Sequence, residues 1–212
     1  MATGAITGFG SIYVNGVHFQ TMHAVIRKNG VLVDQSQLAV GEIARVKGMK
    51  DSDSTGDADS IDVDENIVGA IDTLDSANGT LSVLGQTVRI NNGTSFSSDI
   101  QPQSIGGLSV GDYIRVCGTI NASGDVVATR IASSTAGDRL QVIGPVSMLN
   151  SANHTFMINA LHVDYSGASL EGFAGGQPGD GDQVEVRGTV YDPASTTLSA
   201  TQVERMESEH EE

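Results

Sequence analysis

The densest run of groups that could bind an ion lies between residues 51 and 62. Side-chain oxygens recur there at positions one, three, five, seven, nine and twelve of a twelve-residue stretch. Calcium is a hard cation that takes about six to eight oxygen ligands, so this spacing indicates calcium as the cofactor to consider. The ligands would be Asp51, Asp53, Thr55, Asp57, Asp59 and Asp62, with Gly56 at the sharp turn of the loop.

The same stretch also has a simpler interpretation. Thr55 stands where a calcium loop usually carries Asp or Asn, Asp62 replaces a longer bidentate Glu, and the flanking sequence predicts strands instead of helices. Asp51 also aligns with Asn121 in an ordinary hairpin of the middle repeat described below. The alternative to a calcium site is therefore a solvated acidic turn.

Histidine and methionine side chains raise a second metal hypothesis, because imidazole and thioether groups suit copper. Two histidines occupy equivalent repeat positions, and Arg89 takes that position in the middle repeat, which favours ordinary surface residues. The side chains concerned are His18, His162, Met148, His154 and Met157.

No set of residues has the spacing of a catalytic site. The sequence contains neither a nucleophile paired with a base nor a closed set of metal ligands, so it predicts a protein that is not an enzyme. Gly172–Gly179 lacks the helix and lysine of a phosphate loop and is interpreted as a connecting loop. Cys117, the single cysteine, excludes an internal disulfide and should be accessible unless a neighbouring repeat covers it.

Composition narrows the class of partner. The 212 residues include 26 acidic and 11 basic side chains, which gives a formal net charge of -15. That charge repels polyphosphate, so nucleic acid is not expected as a partner. No run approaches the roughly 20 apolar residues of a membrane-spanning helix, and Met1–Gly4 does not begin a signal peptide.

A repeat organises the whole chain. Segments 41–48, 111–118 and 181–188 share a glycine, an acidic residue, alternating aliphatic residues and a closing glycine, and they begin 70 residues apart. Each is followed by a closing strand with an Ala-x-x-aliphatic pattern. Hairpins that precede them carry Asn-Gly turns such as Asn15–Gly16, which tolerate positive φ. The chain is therefore predicted to be three tandem copies of one unit.

Alternation within the repeated segments predicts an all-β fold. Ala44 and Val46 and their equivalents point to a core, whereas Arg45 and Lys47 and theirs point outward. A unit of about 60 residues with five or six short strands buries too little surface as an open sheet, so closure into a barrel is expected. We predict three small five- to six-stranded OB-like or SH3-like barrels, covering residues 1–66, 67–139 and 140–212, the last ending in an acidic C-terminal tail.

With these motifs in place, the chain resembles a bacterial family catalogued as domain of unknown function 5666. The stretches that carry the resemblance are Gly8–Gly16, Leu81–Val88, Val110–Gly118 and Asp125–Ile131. The resemblance implies tandem OB-like barrels in exported, often periplasmic or lipid-anchored, proteins with no assigned reaction. It implies no catalytic residues.

Together these observations lead to one functional expectation and one alternative. The first is a non-enzymatic module, periplasmic or extracellular by resemblance, whose barrels bind another protein, a polymer or copies of the same chain. Strand addition at an unpaired barrel edge is the expected contact mode. The alternative is a calcium-binding or other metal-binding protein that uses the acidic stretch.

Overall fold

The computed structural model describes residues 1–137 and 139–206, and within them the chain is all-β, as the sequence predicts. Residues 207–212 of the predicted acidic tail lie outside this description. The strands fall into three consecutive groups, which we call units 1, 2 and 3. Unit 1 contains β1 (Ala2–Phe9), β2 (Ile12–Val14), β3 (Val17–Gln20), β4 (Val25–Lys28), β5 (Val31–Leu32), β6 (Ile43–Lys50) and β7 (Thr55–Val63). Unit 2 contains β8 (Ile67–Asp75), β9 (Thr80–Val83), β10 (Gln86–Arg89), β11 (Ser95–Phe96), β12 (Tyr113–Ile120) and β13 (Val126–Ser133). Unit 3 contains β14 (Leu140–Pro145), β15 (Ser147–Asn150), β16 (Thr155–Ile158), β17 (Leu161–Asp164), β18 (Ser169–Glu171), β19 (Gln183–Asp192) and β20 (Thr197–Arg205).

Unit 1 closes into a five-stranded barrel. β1 pairs with β2, β2 with β3, and β3 runs parallel to β7. β7 pairs antiparallel with β6, and β6 returns to β1, which completes the ring. A closed ring leaves no free edge, so these short strands hide their apolar faces without a second layer. The two remaining strands, β4 and β5, form a hairpin in which β4 pairs parallel with β7.

The same order of pairings recurs in the other two units. In unit 2 the ring is β8, β9, β10, β13 and β12. Unit 3 repeats it through β15, β16, β17, β20, β19 and β14, with Val146 between β14 and β15. Units 2 and 3 also share one sheet, because β14 pairs with β8. The predicted boundaries fall between β7 and β8 and between β13 and β14, and the division into three separate domains stays a prediction.

The first two residues of each repeated segment form the turn that precedes β6, β12 or β19, the fourth strand of each barrel in chain order. Gly41, Gly111 and Gly181 have φ of 90°, 91° and 90°, a backbone conformation that glycine adopts without strain. The acidic residue that follows accepts a hydrogen bond from the backbone N–H three residues earlier, which fixes the turn. These pairs are Glu42 with Ala39, Asp112 with Ser109, and Asp182 with Gly179.

The closing glycine of each segment lies at a β-bulge. The register shifts at Gly48, Gly118 and Gly188, where the strand bends as it closes the barrel. A Cβ at any of these positions would collide with a carbonyl oxygen of the opposite strand, and only glycine avoids that contact. The carbonyls belong to Asp57, Val127 and Ser199.

The predicted inward face forms the core. Ala44, Val46, Ile114 and their equivalents in unit 3 are all buried, which confirms the alternation. Among the described residues the buried apolar side chains form two clusters, one within unit 1 and one continuous through units 2 and 3. The shared sheet thus comes with a shared core.

The described residues contain two short 3₁₀ turns. They span Gln35–Gln37 and Ile105–Gly107, between the third and fourth barrel strands of units 1 and 2. Each is followed by a leucine, Leu38 or Leu108, that is 6% exposed. The turn therefore places one apolar side chain over the end of its barrel.

Candidate functional site

The predicted calcium ligands do not form a loop. Asp51 and Asp53 lie in the bend that joins β6 to β7, where the backbone N–H groups of Asp51 and Ser52 both donate to the Thr55 carbonyl at 3.0 and 3.2 Å. β7 begins at Thr55, so the rest of the predicted ligands lie along a strand. Neighbouring side chains on one face of a strand are about 6.6 Å apart, whereas a calcium loop wraps its ligands around one point. The remaining ligands are Asp57, Asp59 and Asp62.

The residue spacing of a calcium loop is therefore present, but a hairpin bend and a strand take the place of the loop, and the calcium site stays a prediction. Asp57 and Asp59 are exposed, and Asp62 lies opposite Arg45 in the β6–β7 pair. Across residues 1–137 and 139–206, no group of three or more His, Cys, Asp or Glu side chains is arranged to hold a metal ion.

Two of the candidate histidines contact tyrosines. His18 stacks on Tyr13 with ring centroids 4.6 Å apart, and His154 meets Tyr165 edge to face at 5.5 Å. His18 on β3 and His162 on β17 do occupy equivalent positions beside the parallel closing strand of their barrels. The copper hypothesis gains no ligand set from this placement.

Cys117 lies on the outer face of its barrel, as alternation predicts, but unit 1 covers it. Its side chain is 3% exposed. Burial raises the pKa of the thiol far above its ordinary value of 9.0, and the carboxylates of Glu65 and Glu42 raise it further. The thiol is therefore protonated and shielded, which matches the prediction that a neighbouring repeat could cover it.

Two cavities lie where the units meet, with volumes of about 190 and 270 Å³. Glu65 and Arg115 line both of them, so the two form one polar region. We call six of the side chains around these cavities the polar junction. Its members are Lys28, Glu42, Glu65, Arg115, Cys117 and Arg139.

Two buried carboxylates meet one lysine in the polar junction. Glu42 is 2% exposed and Glu65 is 4% exposed. Lys28 Nζ lies 2.5 Å from Glu42 Oε1 and 3.9 Å from Glu65 Oε1. Asn29 holds Glu65 from both sides, because its Nδ2 donates to Glu65 Oε2 and its Oδ1 accepts from the Glu65 N–H, each at 2.9 Å. The tip of the β4–β5 hairpin is thus fastened to the linker before unit 2.

Unit 3 reaches the same region. Arg187 donates to the Asn29 carbonyl at 3.5 Å and pairs with Glu185 beside it on β19. Burial raises the pKa of Glu185, while the Arg187 guanidinium acts in the opposite direction. Unit 3 therefore contacts the tip of the β4–β5 hairpin, which is itself hydrogen-bonded to Glu65 in the linker.

Sequence reasoning missed this junction. Cys117 in the junction and Glu185 beside it stand at outward positions of their strands, where alternation predicts exposure, and both are buried where the units meet. The signal that was present is the change of the acidic motif residue to the longer Glu42, which can hold its own turn and still reach Lys28.

A second surface is apolar and open. β5 is the last strand of the seven-stranded sheet of unit 1. Val31 and Leu32, its two residues, are 61% and 68% exposed. Asn29 and Gly30, with φ of 50° and 78°, form the tight turn that leads into it. We call β4 and β5 with this turn the edge hairpin.

Comparison with known families places the chain. The model of the family described as "Domain of unknown function (DUF5666)" matches residues 3–62 and 68–132, which are two tandem copies. These matches cover more than half of the 212 residues, and the chain belongs to this family. The match ends before unit 3, whose likeness to the other two rests on the 70-residue repeat and on its strand pairings.

No curated protein matches the chain significantly. Within the described ranges, none of the helical segments has the length and apolar character needed to cross a membrane.

Proposed function

We propose that the chain is a non-enzymatic bacterial binding module, exported to the periplasm or the cell exterior, that holds another protein by strand addition at the edge hairpin. The observation that carries this proposal is the position of β5 at the end of its sheet with Val31 and Leu32 61% and 68% exposed. Edge strands of soluble proteins are usually charged or covered, and β5, although it has only two residues, presents open aliphatic side chains, which suggests a partner.

The backbone of β5 supports the same contact. In an antiparallel pair, only every second residue of a strand directs its N–H and carbonyl toward the partner strand. At β5 these residues are Val31, which pairs with Lys28, and Val33 just after the strand, whose N–H donates to the Ile26 carbonyl. The N–H and carbonyl of Leu32 therefore point away from β4. An extended segment of a partner would bond to them and cover the two aliphatic side chains.

The scaffold we propose is a row of three OB-like barrels. The ring order of strands in each unit and the 3₁₀ turns between the third and fourth barrel strands of units 1 and 2 support an OB-like over an SH3-like barrel. The polar junction supports a fixed orientation of the row. A rigid base would present the edge hairpin without an entropic cost of ordering it on binding.

Charge favours one kind of partner segment. The chain carries a net charge of -15, and such a surface attracts cationic groups and repels polyphosphate. We therefore propose an extended protein segment with basic residues flanking a short apolar run. Electrostatic attraction would raise the association rate, and strand pairing would hold the complex.

The proposal is tested with a displayed library of random peptides selected on the folded protein. Selected peptides should combine alternating apolar residues with flanking Lys or Arg. Binding should slow hydrogen exchange of the Leu32 amide, because strand addition pairs that group. Protection found elsewhere, or no peptide selected, would contradict the proposal.

A matched pair of variants completes the test. Val31→Lys combined with Leu32→Lys should weaken peptide binding at least about tenfold, because charged side chains block edge pairing. Val190→Lys changes a valine on β19 that is also 61% exposed and should leave binding unchanged. Equal loss in both would mean that the edge hairpin is not the site.

A further inference from the structure

In unit 1 the turn that begins the repeated segment packs against unit 2, and we call it the seated turn. In units 2 and 3 the equivalent turn is exposed. A Cβ added to Gly41 would collide with Ser95, Thr129 and Arg130 of unit 2. A Cβ added to Gly111 or Gly181 would meet no atom of the described chain within 4 Å. All three glycines have the same φ, so the exposed turns have the conformation of the seated one.

Unit 2 holds the seated turn with two hydroxyl groups and an arginine. Ser95 Oγ donates to the Val40 carbonyl at 3.0 Å, and Thr129 Oγ1 donates to the Gly41 carbonyl at 2.5 Å. Arg130 adds a longer bond to the Val40 carbonyl at 3.3 Å. This face of β11 and β13 is therefore a docking face for the Val-Gly turn.

Unit 3 carries a copy of the docking face. Ser169 lies beside Gln202 in the register in which Ser95 lies beside Arg130. The internal contact is also repeated, since Ser169 Oγ lies 3.4 Å from the Thr201 carbonyl oxygen and Ser95 Oγ lies 3.2 Å from the Thr129 carbonyl oxygen. Ser169 and Thr201 are both exposed.

We propose that the Val110–Gly111 turn of one molecule docks onto the Ser169–Thr201 face of a second copy of the chain. The turn matches Val40–Gly41 in both residue types and in φ. Thr201 Oγ1 now donates to the Arg187 carbonyl at 3.2 Å and would turn to the incoming Gly111 carbonyl. Thr129 Oγ1 shows the equivalent placement in unit 2, since it lies 2.5 Å from the Gly41 carbonyl oxygen and 3.1 Å from the Cys117 carbonyl oxygen. This goes beyond the proposed function, because it uses neither strand of the edge hairpin.

The contact between copies is weaker than the contact inside the chain. Gln202 replaces Arg130 and already donates to Glu171 at 2.9 Å. Association should therefore depend on protein concentration instead of giving a permanent oligomer.

The arrangement is head to tail. Each molecule offers one Val110–Gly111 turn and one Ser169–Thr201 face, and these two surfaces differ. Such a heterologous contact leaves one free surface at each end of any open assembly, so it builds chains or closes into rings.

The test uses two variants that each remove one partner surface. Gly111→Asn adds a Cβ where the docked turn has no room, and Asn tolerates positive φ. Thr201→Arg covers the face with a large side chain. In light scattering across a concentration series, the unmodified protein should exceed its 22.0 kDa mass as concentration rises, and each variant alone should remain a monomer.

Mixing the two variants gives the decisive result. The intact turn of Thr201→Arg fits the intact face of Gly111→Asn, so an equal mixture should form a dimer and stop there. Gly181→Asn, with the same φ and an equally open Cβ position, and Thr119→Arg, on an exposed strand position, are the controls and should assemble like the unmodified protein.

A protein that stays monomeric at every concentration would overturn the inference, as would a mixture that fails to dimerise or controls that lose assembly. Peptide binding at the edge hairpin is measured on the same samples. Because that assay reports on a separate surface, loss of self-assembly with retained peptide binding would leave the proposed function standing.

Discussion

The side-chain amide of Gln141 donates a 2.6 Å hydrogen bond to the backbone carbonyl of Glu65. Gln141 lies on β14 of unit 3 and is fully buried, and Glu65 lies in the linker between units 1 and 2. The bond ties the third unit to the segment that joins the first two. The linker is thereby a structural element of the assembly and not a flexible tether.

Replacing Gln141 with Ala should lower the free energy of unfolding by about 1–3 kcal/mol, because a buried carbonyl loses its donor. Chemical denaturation measures the change. Gln103→Ala is the control, since Gln103 also bonds to a backbone carbonyl, at 3.0 Å, but is exposed. A loss as large in the control would show that burial is not the reason for the effect.

Replacing Lys28 with Met should destabilise the protein by about 3 kcal/mol, because Glu42 would keep a buried charge without its partner. Thermal and chemical unfolding both report it. Arg89→Met breaks an ion pair with Asp125 in which the arginine side chain is 52% exposed, and it should cost less than about 1 kcal/mol. If the two variants cost the same, the polar junction is not a dry electrostatic contact.

Cys117 should make stability fall as the solution becomes alkaline. Folding raises the pKa of this thiol, so the folded thiol stays protonated while the unfolded thiol ionises above its ordinary value of 9.0. The stabilisation is complete below that value and is lost as pH rises, by at most about 1.4 kcal/mol per pH unit. Unfolding free energies measured on both sides of that pH give the slope.

Cys117→Ala is the comparison, because the other alkaline titrations remain in that variant and only the thiol is removed. The slope above the ordinary thiol pKa should be smaller in the variant. Thiol reagents should also leave the native protein unmodified and react in parallel with unfolding. Rapid labelling of the folded protein would show that unit 1 does not cover the thiol.

Calcium at millimolar concentration should leave the thermal midpoint unchanged, because Asp57 and Asp59 lie along an exposed strand instead of around one point. An ion that binds only the folded state would raise the midpoint. Scanning calorimetry with and without calcium makes the measurement. A rise that Asp57→Asn and Asp59→Asn remove would restore calcium binding by this stretch.

The interior of each unit is readable in the sequence because its causes are local. Gly41 and Gly48 lie at the two ends of a segment whose alternation predicts Ala44 and Val46 as core residues. Gly41 is required by its positive φ, and Gly48 is required by the β-bulge. The repeat then multiplies the signal three times. In the acidic stretch the spacing of oxygens alone points to a loop, whereas the repeat, through the alignment of Asp51 with Asn121 and the closing-strand pattern, indicates the hairpin and strand that are present.

Contacts between units follow a different logic. Alternation marks Cys117 and Glu185 as outward, which is correct within their barrels, but their burial depends on chain segments about 50 or more residues away. Nothing local distinguishes an outward residue that meets water from one that meets another unit. Glu65, in a linker without periodicity, gives no pattern at all.

Because β8 pairs with β14, units 2 and 3 form one mechanical part of the molecule and unit 1 forms a second, smaller part. Pulled from its two ends, the molecule would yield first in the portion up to residue 63, whose apolar cluster is its own. Units 2 and 3, together about twice that size, would resist as one part, because separating β14 from β8 would disrupt the hydrophobic core that they share. A chain with three repeats in its sequence would thus unfold under force in two steps and not in three.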